Sequence, residues 1–253
     1  MTRFAFLDHP LPLAFAHRGG AGEAEENTMP AFARAVALGY RYVETDVQAT
    51  RDGVAVLFHD DDLQRLCGHP GRVAEMGWSD LARLRTRGGQ SIPRLDELLD
   101  AWPELRINLE AKSDAAVAPM AAAIRRAGAL RRVCVGSFDV RRTARLRATL
   151  GPELAWSPAH AGVARVWLAG WGLPLAAPDC AALQLPPRWR GIPLATRRTV
   201  RAAHARGLQI HVWTVDAPDE MARLLDSGVD GLMTDRPALL RDLLIRRGQW
   251  TGG

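Results

Sequence analysis

The sequence is poor in cysteine and has no long apolar run. Its 253 residues include three cysteines, Cys67, Cys134 and Cys180, which are far apart along the chain. An odd, scattered set of cysteines excludes a disulfide framework and a cysteine-bound metal, and it favours a reducing compartment. No apolar stretch approaches the length of a membrane span, and the first residues lack the apolar core of a signal peptide. We therefore expect a cytoplasmic protein without stable membrane association.

Lysine is nearly absent as well. Lys112 is the only lysine among 33 lysine and arginine residues, although the net charge is +5. The arginines are scattered along the chain and form no basic run, so we expect no nucleic-acid binding. Because arginine serves everywhere else, the single lysine points to a position that favours a compact ammonium group over a planar guanidinium.

A glycine-rich phosphate loop is also missing after the first predicted strand, which weighs against a doubly wound open sheet. Strand and helix patterns instead alternate as eight strand–helix units without a linker. Repeated units of this kind predict an α/β protein, a single (β/α)₈ TIM barrel that forms one domain over residues 1–253. The second predicted strand begins at Tyr42 and leads into a hairpin, and the other seven are 13–18, 106–112, 133–138, 154–157, 182–185, 209–215 and 231–234.

The second strand carries two carboxylates, Glu44 and Asp46, two residues apart. In a strand these side chains share a face, while Val43 and Val47 lie on the other face. Neighbouring carboxylates repel each other unless a cation lies between them, and Mg²⁺ and Ca²⁺ prefer oxygen ligands. A solvent-facing strand edge with two charges is the alternative interpretation. His59, close to the end of the same hairpin, favours the metal site.

The strand continues into a small insertion. Arg51-Asp52-Gly53 is typical of a tight turn between two apolar, β-branched runs, which predicts a hairpin. Residues 63–87 that follow are polar and irregular, with one short helix expected from Ser79.

This stretch resembles the hallmark of the glycerophosphodiester phosphodiesterase family, which is E-x-D-V, then T-x-D-G, then H-D. Further matching segments occur in the same order over nearly the whole chain, so the resemblance is specific. The hallmark residues are Glu44, Asp46, Val47, Thr50, Asp52, Gly53, His59 and Asp60. The other segments are Ala16-His17-Arg18-Gly19, Glu26-Asn27-Thr28, Ile92-Pro93, Asn108-Leu109-Glu110-Ala111-Lys112, Trp213-Thr214-Val215 and Thr234-Asp235.

Charged residues and one tryptophan fall at the C-terminal ends of the predicted strands, where (β/α)₈ barrels hold their active sites. Carboxylates suit one divalent cation, Mg²⁺ or Ca²⁺, histidines suit proton transfer near neutral pH, and an arginine suits phosphate. The predicted metal ligands are Glu44, Asp46 and Glu110, the catalytic residues are His17 and His59, and the phosphate or substrate contacts are Arg18, Asn27, Lys112 and Trp213.

Other interpretations of these residues stay open. Glu110 and Lys112 can form an ion pair on one strand face, Trp213 can belong to the core, and Asp235 can cap a helix. Asn27 is expected to hydrogen-bond a ligand or His17. Structural roles are predicted for the helix-capping Asp216 and for His9, His69, His160, His204 and His211.

The resemblance implies metal-dependent hydrolysis of glycerophosphodiesters to glycerol 3-phosphate and an alcohol, with His17 and His59 as general acid and base in an unassigned order. Lysophospholipase D-like activity on lipid phosphodiesters and a non-catalytic phosphate-binding barrel are the alternatives. The sequence does not decide between attack by water and a cyclic phosphate intermediate, and it does not predict an oligomeric state.

The loops at the predicted active-site end are short and mostly polar, whereas residues 163–175 are apolar and contain two tryptophans. Val163, Val166, Trp167 and Trp171 recur at helical spacing, which is typical of a helix packed on the barrel. A barrel that acts on lipids is expected to expose an apolar, basic-flanked loop at its rim. The sequence therefore predicts small, water-soluble substrates such as glycerophosphocholine.

Overall fold

The computed structural model describes residues 3–252, and eight parallel strands with helices between them dominate it. The strands are β1 Leu13–His17, β2 Tyr42–Ala49, β3 Ala55–Leu57, β4 Arg106–Ala111, β5 Val133–Gly136, β6 Ala155–Trp156, β7 Ala182–Leu185, β8 Arg188–Trp189, β9 Ile192–Pro193, β10 Gln209–Val212 and β11 Gly231–Thr234. The helices are α1 Met29–Ala37, α2 Gln64–Cys67, α3 Trp78–Leu81, α4 Leu95–Ala101, α5 Val117–Arg126, α6 Val140–Leu150, α7 His160–Ala169, α8 Arg197–His204, α9 Pro218–Asp226 and α10 Pro237–Arg246.

The eight barrel strands follow the order β6-β5-β4-β2-β1-β11-β10-β7. Each neighbouring pair in this path is parallel. The two ends of the path approach each other where the Ala181 amide donates to the Trp156 carbonyl oxygen at 3.0 Å. The nearly closed (β/α)₈ barrel predicted from the alternation is confirmed, and the doubly wound open sheet is excluded.

Local sequence signals set the helix boundaries. The Thr28 hydroxyl accepts a hydrogen bond from the Ala31 amide, which caps α1, and Pro30 occupies the first turn, where its missing N–H costs nothing. Gly39 follows the end of the helix with φ of +90°, a conformation that favours glycine. Phe32 is fully buried on the face of α1 that packs against the barrel.

The insertion after β2 begins with the predicted hairpin, because β3 pairs antiparallel with β2 and Gly53 in the turn has φ of +80°. It then contains α2, a 3₁₀ turn at Val73–Glu75, and α3. The sequence predicted one short helix here; four-residue helices show too little periodicity to be recognised. A small apolar core holds the insertion together, formed by Val56, Phe58, Leu63, Val73, Leu81 and Ile92.

The N-terminal segment closes the bottom of the barrel. A 3₁₀ turn at Ala5–Leu7, which the sequence did not predict, places Phe6 against Phe15 and Tyr42. The Tyr42 hydroxyl donates to the Phe6 carbonyl oxygen at 2.7 Å, so this buried phenol is satisfied. Among residues 3–252, no helix has both the length and the apolar character needed to cross a membrane.

His211 lies in the same interior layer, against the Phe15 ring. It is fully buried, its Nδ1 has no hydrogen-bond partner among the described residues, and Nε2 lies 3.0 Å from Gln209 Oε1. Burial lowers the pKa of this imidazole to about 3. His211 is therefore neutral in the folded protein near neutral pH, which fits the structural role predicted for it.

This burial predicts an acid-sensitive fold. Between pH 6.5 and about 3 the unfolded state binds a proton at His211 that the folded state does not bind, so stability falls as the pH falls. The His211 contribution approaches about 1.4 kcal/mol per pH unit in that window. Urea unfolding at pH 7 and pH 5 should therefore show a smaller loss of stability for His211→Leu than for the wild type. An identical loss in both proteins would contradict the assignment.

Candidate active site

Strand register builds the site at the C-terminal end of the barrel. In the β1–β2–β4 register, His17 stands beside Glu44 and Glu44 beside Asn108, while Asp46 stands beside Glu110. Because alternate residues of a strand share a face, Glu44 and Asp46 project together and meet Glu110 from the next strand. Val43 and Val47 face the other way and are buried in the core between the strands and the helices, as predicted.

Three carboxylates form a compact cluster. One oxygen each of Glu44, Asp46 and Glu110 lies within 4.8 Å of the other two. Burial, and then the neighbouring Asp46, raise the pKa of Glu44 to about 8, and burial also raises the pKa of Glu110. Buried carboxylates this close favour ionisation only with a cation among them, and hard oxygen donors suit Mg²⁺ or Ca²⁺. The donor set therefore fits a divalent cation.

Two monovalent cations border the cluster. Lys112 Nζ lies 3.2 Å from Glu110 Oε1 and 3.6 Å from Asp46 Oδ1. The ion pair between Glu110 and Lys112, which the sequence analysis named as the alternative to a metal-binding role for Glu110, is thus present. It coexists with the carboxylate cluster because a position at the rim lowers the cost of desolvating the two charges. Arg18 Nε lies 3.1 Å from Asp46 Oδ2, but this buried N–H makes no well-directed hydrogen bond.

Asn27 fixes the position of Asp46. Its Nδ2 donates to Asp46 Oδ2 at 3.1 Å, and its Oδ1 accepts from the Thr45 hydroxyl at 2.7 Å. Asn27 therefore does not hydrogen-bond His17, one of the two partners expected from the sequence; the other, a ligand, stays a prediction. The backbone of Asn27 has φ of +56°, a conformation that asparagine tolerates better than most residues. The Asn27 side chain is buried beneath the carboxylate cluster.

Both predicted catalytic histidines are paired with an aspartate. His17 Nδ1 lies 2.6 Å from Asp235 Oδ1, and His59 Nδ1 lies 2.7 Å from Asp60 Oδ1. A carboxylate acceptor favours the proton on Nδ1 and leaves Nε2 of the neutral ring available. Burial lowers the pKa of His17, but Glu44 and Asp235 together outweigh burial, so the net shift is upward.

Asp216 does not cap α9, contrary to the prediction. The cap position is Ala217, and Asp216 Oδ1 accepts hydrogen bonds from the Thr234 hydroxyl at 2.9 Å and the Asp235 amide at 2.8 Å. The reason is that Pro218 opens the helix two residues later, which leaves the Asp216 carboxylate beside the end of β11. It holds the backbone that carries Asp235, the partner of His17.

An ionic network joins the two histidine regions. Arg65 from α2 donates to Asp60 Oδ2 at 2.6 Å and to both oxygens of Glu26 at 2.7 and 2.9 Å. Glu26 in turn accepts from Arg18 at 3.2 Å. The insertion therefore orients the aspartate behind His59 and contacts the loop that bears Arg18. Sequence patterns do not predict Arg65 as a partner of Asp60 and Glu26, because Glu26 and Arg65 are far apart along the chain.

A cavity of about 620 Å³ opens at this end of the barrel. Of the nine predicted site residues, Asp46 and Asn27 contribute beneath the cluster, and the other seven line the cavity: His17, Arg18, Glu44, His59, Glu110, Lys112 and Trp213. Lining residues that the sequence analysis missed include Asn108, Ser137, Phe138, His160, Trp167, Leu168, Gln184, Trp189 and Ile192. Ser137 and Phe138 directly follow β5, so their position at a strand end was an available signal.

The apolar stretch from residue 163 has two roles. Val166 is fully buried against the barrel, as predicted for the helix after the fifth barrel strand, but Trp167 and Leu168 line the cavity. His160, predicted to be structural, also lines the cavity and packs against Phe138 at 5.3 Å between ring centroids. The rim is therefore more apolar than the mostly polar loops predicted from the sequence.

The second error at the rim concerns β8 and β9, an antiparallel hairpin absent from the sequence analysis. Its strands have two residues each, too few for an alternating pattern, and its turn places Arg190 and Gly191 at φ of +48° and +83°. Trp189 and Ile192 lie in these strands and are exposed at the cavity.

A (β/α)₈ barrel whose rim combines clustered carboxylates, histidine–aspartate pairs and cationic side chains defines a hydrolase of phosphate esters. The sequence model of the glycerophosphoryl diester phosphodiesterase family matches residues 17–239, and the chain belongs to this family. The resemblance seen in the motifs is confirmed.

Individual relatives agree with the family match. The chain is 44% identical over 254 residues to "Probable glycerophosphodiester phosphodiesterase 2" of Mycobacterium tuberculosis, which covers 98% of this chain and 96% of the relative. It is 29% identical to the glycerophosphodiester phosphodiesterase of Caldanaerobacter subterraneus, over 93% of this chain and 98% of the relative. The crystal structure of glycerophosphodiester phosphodiesterase from Agrobacterium tumefaciens superimposes with a TM-score of 0.75 at 27% identity, over 91% of this chain and 99% of that one. The chain is accordingly a phosphoric diester hydrolase with glycerophosphodiester phosphodiesterase activity.

Proposed function

We propose that the enzyme hydrolyses glycerophosphodiesters to glycerol 3-phosphate and an alcohol with one divalent cation, Mg²⁺ or Ca²⁺, held by Glu44, Asp46 and Glu110. The observation that carries this proposal is the set of three carboxylates whose oxygens lie within 4.8 Å of one another at the floor of the cavity. When bound, the cation supplies positive charge to a phosphate oxygen.

The chain's own cations complete the phosphate site. Arg18 and Lys112 line the cavity beside the carboxylate cluster. They bind the phosphate oxygens and stabilise the negative charge that grows there in the transition state. Trp213, which meets Phe138 edge-on at 5.8 Å, forms part of the wall against the substrate.

The two histidines transfer protons through Nε2. One removes the proton from the attacking hydroxyl and the other donates a proton to the oxygen of the leaving alcohol. Asp235 and Asp60 support this exchange, because each holds Nδ1 of its histidine and stabilises the protonated ring. The attacking group is water or the glycerol hydroxyl beside the phosphate, and trapping of a cyclic phosphate distinguishes the two routes.

The identity of the products tests the function. Purified enzyme with Mg²⁺ or Ca²⁺ and glycerophosphocholine should release glycerol 3-phosphate and choline in equal amounts. Release of phosphocholine and glycerol would show cleavage on the other side of phosphorus and contradict the proposal.

We further propose that the enzyme acts in the cytoplasm as one catalytic domain. Three free cysteines support a reducing compartment, and a family match over residues 17–239 supports one domain.

The network around Arg65 makes a separate prediction. Arg65→Met keeps the apolar stem but removes the guanidinium that holds Asp60, so His59 loses its orientation. We expect turnover of glycerophosphocholine to fall about 10-fold, in the range for lost outer partners of a site. Thermal stability should change little, because exposed ion pairs contribute at most about 1 kcal/mol.

Arg223→Met is the matched control. Arg223 is as exposed as Arg65, at 48%, and it also forms a two-point ion pair, with Glu220, but on α9 outside the cavity. Its turnover should equal that of the wild type. Equal turnover in Arg65→Met and Arg223→Met would show that the network does not orient His59.

A further inference from the structure

The cavity is divided between a polar and an apolar half. The polar half holds the carboxylate cluster, the histidines and the cations described above. The opposite half is lined mainly by apolar side chains, with His160 among them, and both halves belong to one continuous space. We call this half the apolar chamber; it is lined by Phe138, Val163, Trp167, Leu168, Trp189 and Ile192.

Two separate elements supply five of the six chamber residues, all but Phe138, and a hydrogen bond joins these elements. The helix α7 contributes Val163, Trp167 and Leu168, and the β8–β9 hairpin contributes Trp189 and Ile192. The Trp167 Nε1–H donates to the Pro193 carbonyl oxygen at 3.1 Å, which joins the helix to the hairpin. The chamber is therefore a built wall and not an isolated exposed side chain.

The exposure of three large apolar side chains in the chamber is a further indication that a ligand binds there. Phe138, Trp189 and Ile192 are 51%, 47% and 45% exposed, and they surround the same opening. Large apolar side chains gathered around one opening typically mark a binding site, whereas scattered ones do not. Glycerol phosphate is polar throughout and gains nothing from such a wall.

The outer edge of the chamber is basic as well as aromatic. The Arg190 guanidinium stacks over the Trp189 ring at 4.9 Å, and Arg198 stacks over Trp171 at 4.0 Å. An apolar surface with cations at its border is complementary to an amphiphile that carries negative charge next to hydrocarbon. This is the apolar, basic-flanked rim expected of a barrel that acts on lipids.

We infer that the apolar chamber binds the single hydrocarbon chain of a phosphodiester whose phosphate occupies the polar half, so that the enzyme prefers monoacyl glycerophosphodiesters to deacylated ones. This inference rests on the proposed function, because it places the substrate's phosphate at the carboxylate cluster. A cavity of about 620 Å³ lies within the usual range for one ligand of drug size, which suits one chain together with the head group.

A chain-length series measures the chamber directly. The substrates are glycerophosphocholine and lysophosphatidylcholines of increasing acyl length, each below its micelle threshold, with Mg²⁺ or Ca²⁺ present. Each methylene that enters the chamber should raise kcat/KM about 4-fold, until the chamber is filled and the increase stops. The reason is that transfer of each methylene from water to an apolar wall contributes binding free energy.

A second series of substrates decides which half of the substrate carries the hydrocarbon chain that enters the chamber. Lysophosphatidylcholine carries the chain on the glycerol, whereas glycerophospho-alkanols carry it on the leaving alcohol. A rise of kcat/KM with length in the lysophosphatidylcholine series supports the inference. A rise in the glycerophospho-alkanol series alone would show that the chamber takes the leaving alcohol and would overturn it. If glycerophosphocholine is cleaved and neither series rises, the inference is overturned and the proposed function stands.

Ile192→Ala locates the effect in the chamber. The ratio of kcat/KM on a long-chain lysophosphatidylcholine to that on glycerophosphocholine should fall about 10-fold, because part of the apolar wall is lost. Ile245→Ala is the matched control, since Ile245 is 47% exposed on α10 and does not line the cavity. Its ratio should equal the wild-type ratio. Equal ratios in the two variants would overturn the inference.

A binding measurement separates this inference from the proposed function. If no phosphodiester is cleaved, the proposed function fails, and the chamber is then tested by titration with alkylphosphocholines below their micelle threshold. Tryptophan fluorescence should report affinity that rises with alkyl length and weakens in Ile192→Ala. Affinity independent of alkyl length would overturn the inference.

Discussion

Glu44→Gln should lower turnover more than about 100-fold, since loss of even an outer partner of a metal ligand costs about 10- to 100-fold. The substitution keeps the side-chain shape and an oxygen that can accept from the Arg18 amide, which lies 3.1 Å from Glu44 Oε2. It removes one of the three negative charges. The effect therefore reports the lost charge and not a collapsed site.

The same variant should show an opposite effect on stability. Without divalent ions, three crowded carboxylates repel each other, so Glu44→Gln should melt at the same temperature as the wild type or higher. With Mg²⁺ or Ca²⁺ the wild type should gain stability by binding, and the variant should gain much less. Glu153→Gln, which changes the same charge in an exposed loop, should show neither effect. A variant that keeps the wild-type gain in melting temperature would remove Glu44 from the metal site.

The second large effect concerns the histidines. His17→Ala and His59→Ala should each lose on the order of 10²- to 10⁴-fold in turnover, the usual contribution of a general acid or base. Both proteins should fold, because the two side chains lie at the rim of the barrel and outside its packed interior.

His204→Ala is the matched control for these variants. His204 Nε2 lies 2.8 Å from Asp230 Oδ2, so this histidine also has an aspartate partner, but it lies on α8 and does not line the cavity. Its turnover should stay near that of the wild type. A loss in His204→Ala as large as in the other two would show that histidine–aspartate pairs stabilise the fold and do not act in catalysis.

A better leaving group assigns the two roles. A glycerophosphodiester of p-nitrophenol needs no proton on its leaving oxygen, so loss of the general acid costs little with this substrate. The variant that recovers most of its rate has lost the acid, and the variant that stays slow has lost the base. Recovery in both variants or in neither would contradict a division of labour between His17 and His59.

The sequence predicted the barrel and the polar half of the site because both depend on short-range patterns. Alternating strand and helix signals defined the eight units, and the spacing of Glu44 and Asp46 placed them on one face. The rule that strand ends meet at one rim then brought Glu110 and His17 to the same place. The structure confirms the fold and brings these side chains together.

The hydrogen-bond partners of the site residues could not be predicted from the sequence, because they come from distant segments of the chain. The local sequence allows Asp235 to be either a helix cap or a site residue. Its contact with His17 depends on the pairing of β11 with β1. Arg65 lies in a four-residue helix that has no recognisable period. Contacts between such distant segments follow from the closure of the barrel and not from any local sequence pattern.

The apolar chamber was missed for a different physical reason. The spacing of Val163, Val166 and Trp167 correctly predicts a helix that packs on the barrel, but periodicity does not tell which of two apolar surroundings a side chain meets. Trp167 and Leu168 turn to the cavity because the β8–β9 hairpin stands beside them. A two-residue strand pair leaves no trace in hydrophobic patterning.

Removal of divalent ions tests the central claim most directly. Enzyme dialysed against a chelator should release no glycerol 3-phosphate from glycerophosphocholine, and added Mg²⁺ or Ca²⁺ should restore turnover in a saturable way. Because the cation binds the folded protein, its addition should also raise the melting temperature of the wild type. Full turnover in excess chelator would contradict the assignment of Glu44, Asp46 and Glu110 as ligands of a catalytic metal.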